Sequence, residues 1–123
     1  MSDLTKYNGQ QFIETPGIYE AQITKCDTDY SADKGCDTYE YTFSTEQGVV
    51  TKKYFDSEKA GYFLRVLAEA CGLTAPELAN FDSQMLINKN CLIQVSMREY
   101  QGKQYGQLDW VKKSVNPFSA VPF

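Results

Sequence analysis

The sequence predicts an all-β domain with one main helix. Three observations carry that reading: four separate segments alternate with period two beside a fifth rich in β-branched and aromatic residues, one mid-chain segment switches to a period near 3.6, and Gly, Pro, Asn, Asp and Ser gather between segments. At 123 residues the chain has the length of a single domain. We assign residues 1–113 to that domain and residues 114–123, which hold two prolines and no periodicity, to a flexible tail.

Tyr19, Ala21 and Ile23 alternate with Glu20, Gln22 and Thr24, a half-buried first strand introduced by Pro16-Gly17. Asp27 to Cys36 reads as a polar loop of turn-forming residues. Thr38 to Thr45 then alternates with Tyr39, Tyr41 and Phe43 on one face, and Glu46-Gln47-Gly48 turns into a third strand, Val49 to Phe55, rich in β-branched and aromatic residues. From Ser57 onward Ala60, Phe63, Leu64, Leu67, Ala70 and Cys71 form one helical stripe, with Asp56 or Ser57 as N-cap and Gly72 as the stop. Thr74-Ala75-Pro76-Glu77 has the form of a capping box and predicts a second, short helical turn. Cys91, Ile93, Val95 and Met97 define strand four. Gln101-Gly102-Lys103 is its turn, and strand five runs from Gln104 to Lys112 with Leu108 and Trp110 on one face and Tyr105, Gln107 and Asp109 on the other. Alternation assigns Tyr19, Tyr39, Tyr41, Phe43, Phe55, Phe63 and Trp110 to the core.

Histidine is absent, which removes the most usual general base, the commonest metal ligand and the Ser/His and Cys/His nucleophile pairs. Cys26, Cys36, Cys71 and Cys91 contain no C-x-x-C pair and read as free thiols. Asp27, Asp29 and Asp33 lack the spacing and terminal Glu of a calcium loop and read as a solvated acidic loop. The expectation is a non-enzymatic chain with no cofactor and no metal. No apolar run reaches membrane-spanning length and the N-terminus has no basic segment followed by an apolar one, so a cytoplasmic protein is expected.

The net charge of −4 argues against a bulk attraction to nucleic acid, but the charge is uneven. Residues 1–47 carry three basic and nine acidic groups, residues 48–82 four and five, and residues 83–123 five and two.

Three strands, a helix and two strands is the element order of the OB-fold, a five-stranded barrel. Its ligand face comprises strands two and three and the loops joining strands one to two and four to five. Those segments hold Tyr30 and Lys34; Lys52 and Tyr54; and Arg98, Tyr100, Lys103 and Tyr105, an interleaving of aromatic and basic groups. Lys53 falls on the opposite face of its strand by alternation. Such a surface suits single-stranded nucleic acid, whose unpaired bases stack on aromatic rings while cations track the phosphates.

Pro16-Gly17-Ile18-Tyr19-Glu20-Ala21-Gln22-Ile23, the polar segment Ser31 to Cys36 and Glu99-Tyr100-Gln101-Gly102-Lys103-Gln104-Tyr105 stand in an order and spacing that resembles the small single-stranded-DNA-binding proteins of tailed bacteriophages, over residues 12–112. The resemblance implies an OB-fold that binds single strands without sequence preference, as a homodimer, beside a phage recombinase or replication proteins in the host cytoplasm. It gives Tyr100, Lys103 and Tyr105 the role of the last hairpin, and Tyr30 with Lys34 that of the first loop. Pro122-Phe123 is similar to the partner-recruiting end of bacterial single-stranded-DNA-binding proteins, but residues 111–123 contain no Asp or Glu, so the acidic part of that tail is missing. The alternative reading is an OB-like adaptor or recombination mediator whose acidic surface meets proteins and not DNA.

Overall fold

The computed structural model describes residues 12–114. They form β1 (Gly17–Ser31), β2 (Cys36–Thr45), β3 (Gly48–Phe55), α1 (Gly61–Ala70), α2 (Ala75–Ala79), a 3-10 turn at Ser83–Leu86, β4 (Asn90–Tyr100) and β5 (Lys103–Lys112). The five strands make one sheet in the order β3-β2-β1-β4-β5, with every neighbouring pair antiparallel. β1 is shared between two partners. Its Gly17–Gln22 half pairs with β4 and its Gln22–Ser31 half with β2, across a bulge at Thr24 that lets one long strand bend from one partner to the other.

The helices obey local signals. α1 lays Leu64, Leu67, Ala68 and Ala70 on the sheet. It ends where Gly72, at φ 89°, lets the Leu73 and Gly72 amides turn back to the carbonyls of Ala68 and Glu69. α1 begins at Gly61, later than the stripe implies, because Ser57 is used one turn earlier: its Oγ accepts the Ala60 amide at 3.1 Å. The capping box forms as read, with the Thr74 amide donating to Glu77 Oε1 at 2.9 Å. All four cysteines are free, and Cys36, Cys71 and Cys91 are buried.

Two of the sequence expectations are corrected by strand pairing. Asp27 to Ser31 is strand and not loop, because Thr28, Asp29 and Tyr30 are held by Tyr39, Thr38 and Asp37 across the ladder; only residues 32–35 turn, with Gly35 at φ 66°. In β5, Gln94 faces Trp110 and Val95 faces Leu108, so Asp109 is an extra residue. That bulge inverts the alternation beyond it: Val111 enters the core beside Leu108, and Trp110 turns out, 37% exposed. Phe63, assigned to the core by its helical phase, is 50% exposed at the edge of the stripe. Tyr41 and Phe43 are fully buried, while Tyr19 and Tyr39 pack against the core from its margin and Phe55 is half-buried.

β3 and β5 are the two edges of the sheet, and the antiparallel steps between them leave both running in the same direction. Among the described residues no ladder joins them, so the sheet is not closed. The seam is filled by other means. At one end Ile13 is buried in the core, its amide donating to Val49 O at 3.0 Å. Gly106 is the residue that lets Ile13 pass, since a Cβ there would stand 3.1 Å from Ile13 O. In the middle, Lys52 Nζ donates to Leu108 O at 3.1 Å. The far end is an open cleft.

Candidate nucleic-acid interface

The β4–β5 hairpin gathers four of the expected site residues. Register pairs Arg98 with Tyr105 and Tyr100 with Lys103. Cross-strand partners share a face and so do residues two apart, so all four stand on one side of the hairpin, opposite the side that buries Val95 and Leu108. Each pair joins one ring to one cation. Tyr100 is 62% and Tyr105 51% exposed. Glu99, the hairpin's own carboxylate, pairs with Gln104 on the other face.

Polar contacts run down the same face. Arg98 Nη1 donates to Gln107 Oε1 at 3.5 Å, and Gln107 Nε2 donates to Asp109 Oδ1 at 2.9 Å. The Asp109 carboxyl is held below its ordinary range, first by the Ser96 hydroxyl, then by the Gln107 amide, with the Lys52 ammonium adding to the effect. Arg98 is thereby tethered at the base of the strip while its charge stays in solvent.

Lys52 and Tyr54 do not belong to this surface. Both share the inward phase of β3 with Val50. Tyr54 is 4% exposed and meets the Tyr41 ring edge-on at 5.9 Å between centroids; Lys52 lies 5.9 Å over the Tyr54 ring and is committed to the seam. The reason is register: Tyr54 sits opposite Tyr39 on the core side of β2, which leaves Thr51 and Lys53 to face outward. The outward side of β1, β2 and β3 is a shallow groove that includes Lys25, Asp27, Glu40, Thr42 and Thr51 and has no tyrosine.

Tyr30 and Lys34 are exposed at the tip of the β1–β2 hairpin. There the Tyr30 amide donates to Asp29 Oδ1 at 2.8 Å and the Lys34 amide to Ser31 Oγ at 3.1 Å. Asp29, Asp33 and Asp37 surround them, so this tip is acidic. The two hairpins leave the sheet at opposite ends of β1: β4 runs on past Gly17, and the β1–β2 turn follows Ser31. Among the described residues no hydrogen bond, ion pair or ring contact joins Tyr30 or Lys34 to the β4–β5 strip. Pro122 and Phe123 lie outside the described residues, as does the expected tail apart from Ser114, whose hydroxyl donates to Glu20 Oε1.

Phe63, Trp110 and Asp109 were given no site role by the sequence, since helical phase and strict alternation placed the two rings in the core. A cleft of ≈ 270 Å³ between the β3 and β5 edges brings them together with Lys52. Among the described residues no helix is long and apolar enough to cross a membrane, and no group of three or more acidic or Cys side chains could hold a metal ion. The chain matches no protein-family model and no curated protein sequence.

Proposed function

We propose that the chain is a non-enzymatic OB-type protein that binds single-stranded DNA through the outward face of the β4–β5 hairpin. The observation that carries the reading is the alternation of ring and cation across that hairpin, Arg98 with Tyr105 and Lys103 with Tyr100, on a face whose side chains are exposed. Bases stack on the two tyrosines, and phosphates meet the two cations. A duplex hides its base faces and offers only the phosphate part of this arrangement.

The barrel reading is supported by the shared strand β1, the helices between β3 and β4, and the parallel approach of the β3 and β5 edges. Homodimerisation, work beside phage recombination or replication proteins, and a cytoplasmic setting belong to the same proposal through the family resemblance. The Asp-rich tip of the β1–β2 hairpin favours one second reading, an adaptor whose acidic end meets a basic protein surface. Fluorescence anisotropy separates the two. The purified chain is titrated into labelled oligo-dT and into a matched duplex at low and high salt. Saturable, salt-sensitive binding to the single strand supports DNA binding, and no binding to either at low salt leaves the adaptor.

A further inference from the structure

The face of β5 that carries Tyr105 and Gln107 leads past the Asp109 bulge to Trp110, which lines the cleft at the open end of the seam. Phe55, Phe63 and Val66 are among its apolar lining, and Lys52, Lys53 and Asp109 are its charged groups. We propose that this cleft is a pocket for one unpaired nucleobase of a strand bound along the β4–β5 hairpin, the base inserting between Trp110 and Phe63. The inference rests on the single-strand reading above and adds a second subsite to it.

Four features select a base as the occupant. The cleft is continuous with the hairpin face along a single strand, so a chain stacked on Tyr100 and Tyr105 reaches it without crossing the sheet. Its volume of ≈ 270 Å³ lies just under the range of about 300–1,000 Å³ usual for small-molecule pockets, room for one ring system. Its two large rings stand half in water, and an inserted planar group buries both. Its charged groups are complementary to a base edge. Lys52 Nζ uses one N–H on Leu108 O and keeps two. The Asp109 carboxylate accepts from Gln107 and retains acceptor capacity. Most base edges present a carbonyl and an N–H together, which an apolar amino-acid ring does not.

Trp110 is the single tryptophan of the chain, so its emission reports on the cleft. Oligo-dT carrying a fluorescent label is titrated with the wild-type chain and with Phe63→Ala, reading label anisotropy and Trp110 emission together. Thermal unfolding of each variant and a parallel Phe63→Leu chain, which keeps apolar bulk without the ring, separate loss of stacking from loss of fold. The expected result is Trp110 quenching along the same isotherm as the anisotropy. Both Phe63 variants bind at least about fivefold more weakly, with reduced quenching, as loss of one stacking ring requires. Anisotropy that rises while Trp110 emission stays fixed and both variants bind like wild type overturns the pocket and leaves the hairpin reading standing. No anisotropy change with any chain overturns the hairpin reading and the pocket with it. Trp110 emission that responds to an aromatic peptide and not to oligo-dT also overturns the pocket and makes the cleft a protein-binding one.

Discussion

Arg98 and Tyr105 are direct cross-strand partners in the β4–β5 ladder, and the next pair on the same face, Tyr100 with Lys103, repeats the match in reverse. The two cations therefore sit on one diagonal and the two rings on the other. Like charges are kept off directly opposed positions, where they would repel. A single strand crossing this face meets a ring and a positive charge at each step, on a chain whose overall charge is −4.

Charge removal at the diagonal cations tests their phosphate role. Arg98→Gln with Lys103→Gln weakens oligo-dT binding and flattens the dependence of log affinity on log salt by about 0.7 for each phosphate no longer neutralised, about 1.4 for the pair. Anisotropy titrations across a salt series read the slope. An unchanged slope contradicts a phosphate role for these residues.

Tyrosines of different burial separate binding from folding. Tyr100→Ala and Tyr105→Ala each cost about 1–3 kcal/mol of oligo-dT binding and leave the unfolding midpoint near wild type, because both rings project into solvent. Tyr54→Ala empties a core position and costs stability of about 3–5 kcal/mol, the range for large buried aromatic rings. Urea unfolding and anisotropy on the same preparations check the contrast.

Gly106→Ala destabilises the chain by about 1–3 kcal/mol, the usual cost of overpacking. The new methyl group meets the Ile13 carbonyl, which the Ile13 amide bond to Val49 holds in place. Urea unfolding measures the cost. Wild-type stability would mean that Ile13 does not anchor the seam.

Alkali weakens the fold through buried phenols. Burial, reinforced by the hydrogen bond to Asp56, pushes Tyr39 up from 10.0 to about 12. Burial likewise raises Tyr41 and Tyr54. Groups whose folded values lie above their unfolded ones contribute stability that is full below the unfolded value and is lost as pH rises through the folded one. Urea midpoints therefore hold up to about pH 10 and fall steadily from there toward pH 12. Absorbance titration of the phenols follows the same window, and a midpoint that does not fall across it contradicts the assignment.

Much of the fold is legible in the sequence because three strands keep alternation on their core side: Ala21 and Ile23, Tyr41 and Phe43, Ile93 and Val95 all point where period two sends them. What alternation cannot carry is a bulge. Nothing in residues 104–112 marks Asp109 as the extra residue, yet it alone decides that Val111 and not Trp110 is core. Turn-forming composition also misleads at Asp27–Ser31, where pairing with β2 outweighs local preference. The hairpin cluster is legible because its residues lie close in sequence on either side of a Gln-Gly turn. Lys52 and Tyr54 are misread because the inward phase of β3 is set by its neighbour Tyr39 across the ladder. Ile13 has no periodic neighbours, so only the seam it fills gives it a place.

Photochemical crosslinking tests most directly whether the β4–β5 hairpin is the interface. Oligo-dT is irradiated with the intact chain, the product is digested with trypsin, and adducts are located by mass spectrometry. The prediction is adducts on Tyr100, in the peptide 99–103, and on Tyr105, in the peptide 104–112, both suppressed by high salt. Adducts confined to the peptide 26–34 with Tyr30, or none at low salt, would contradict it.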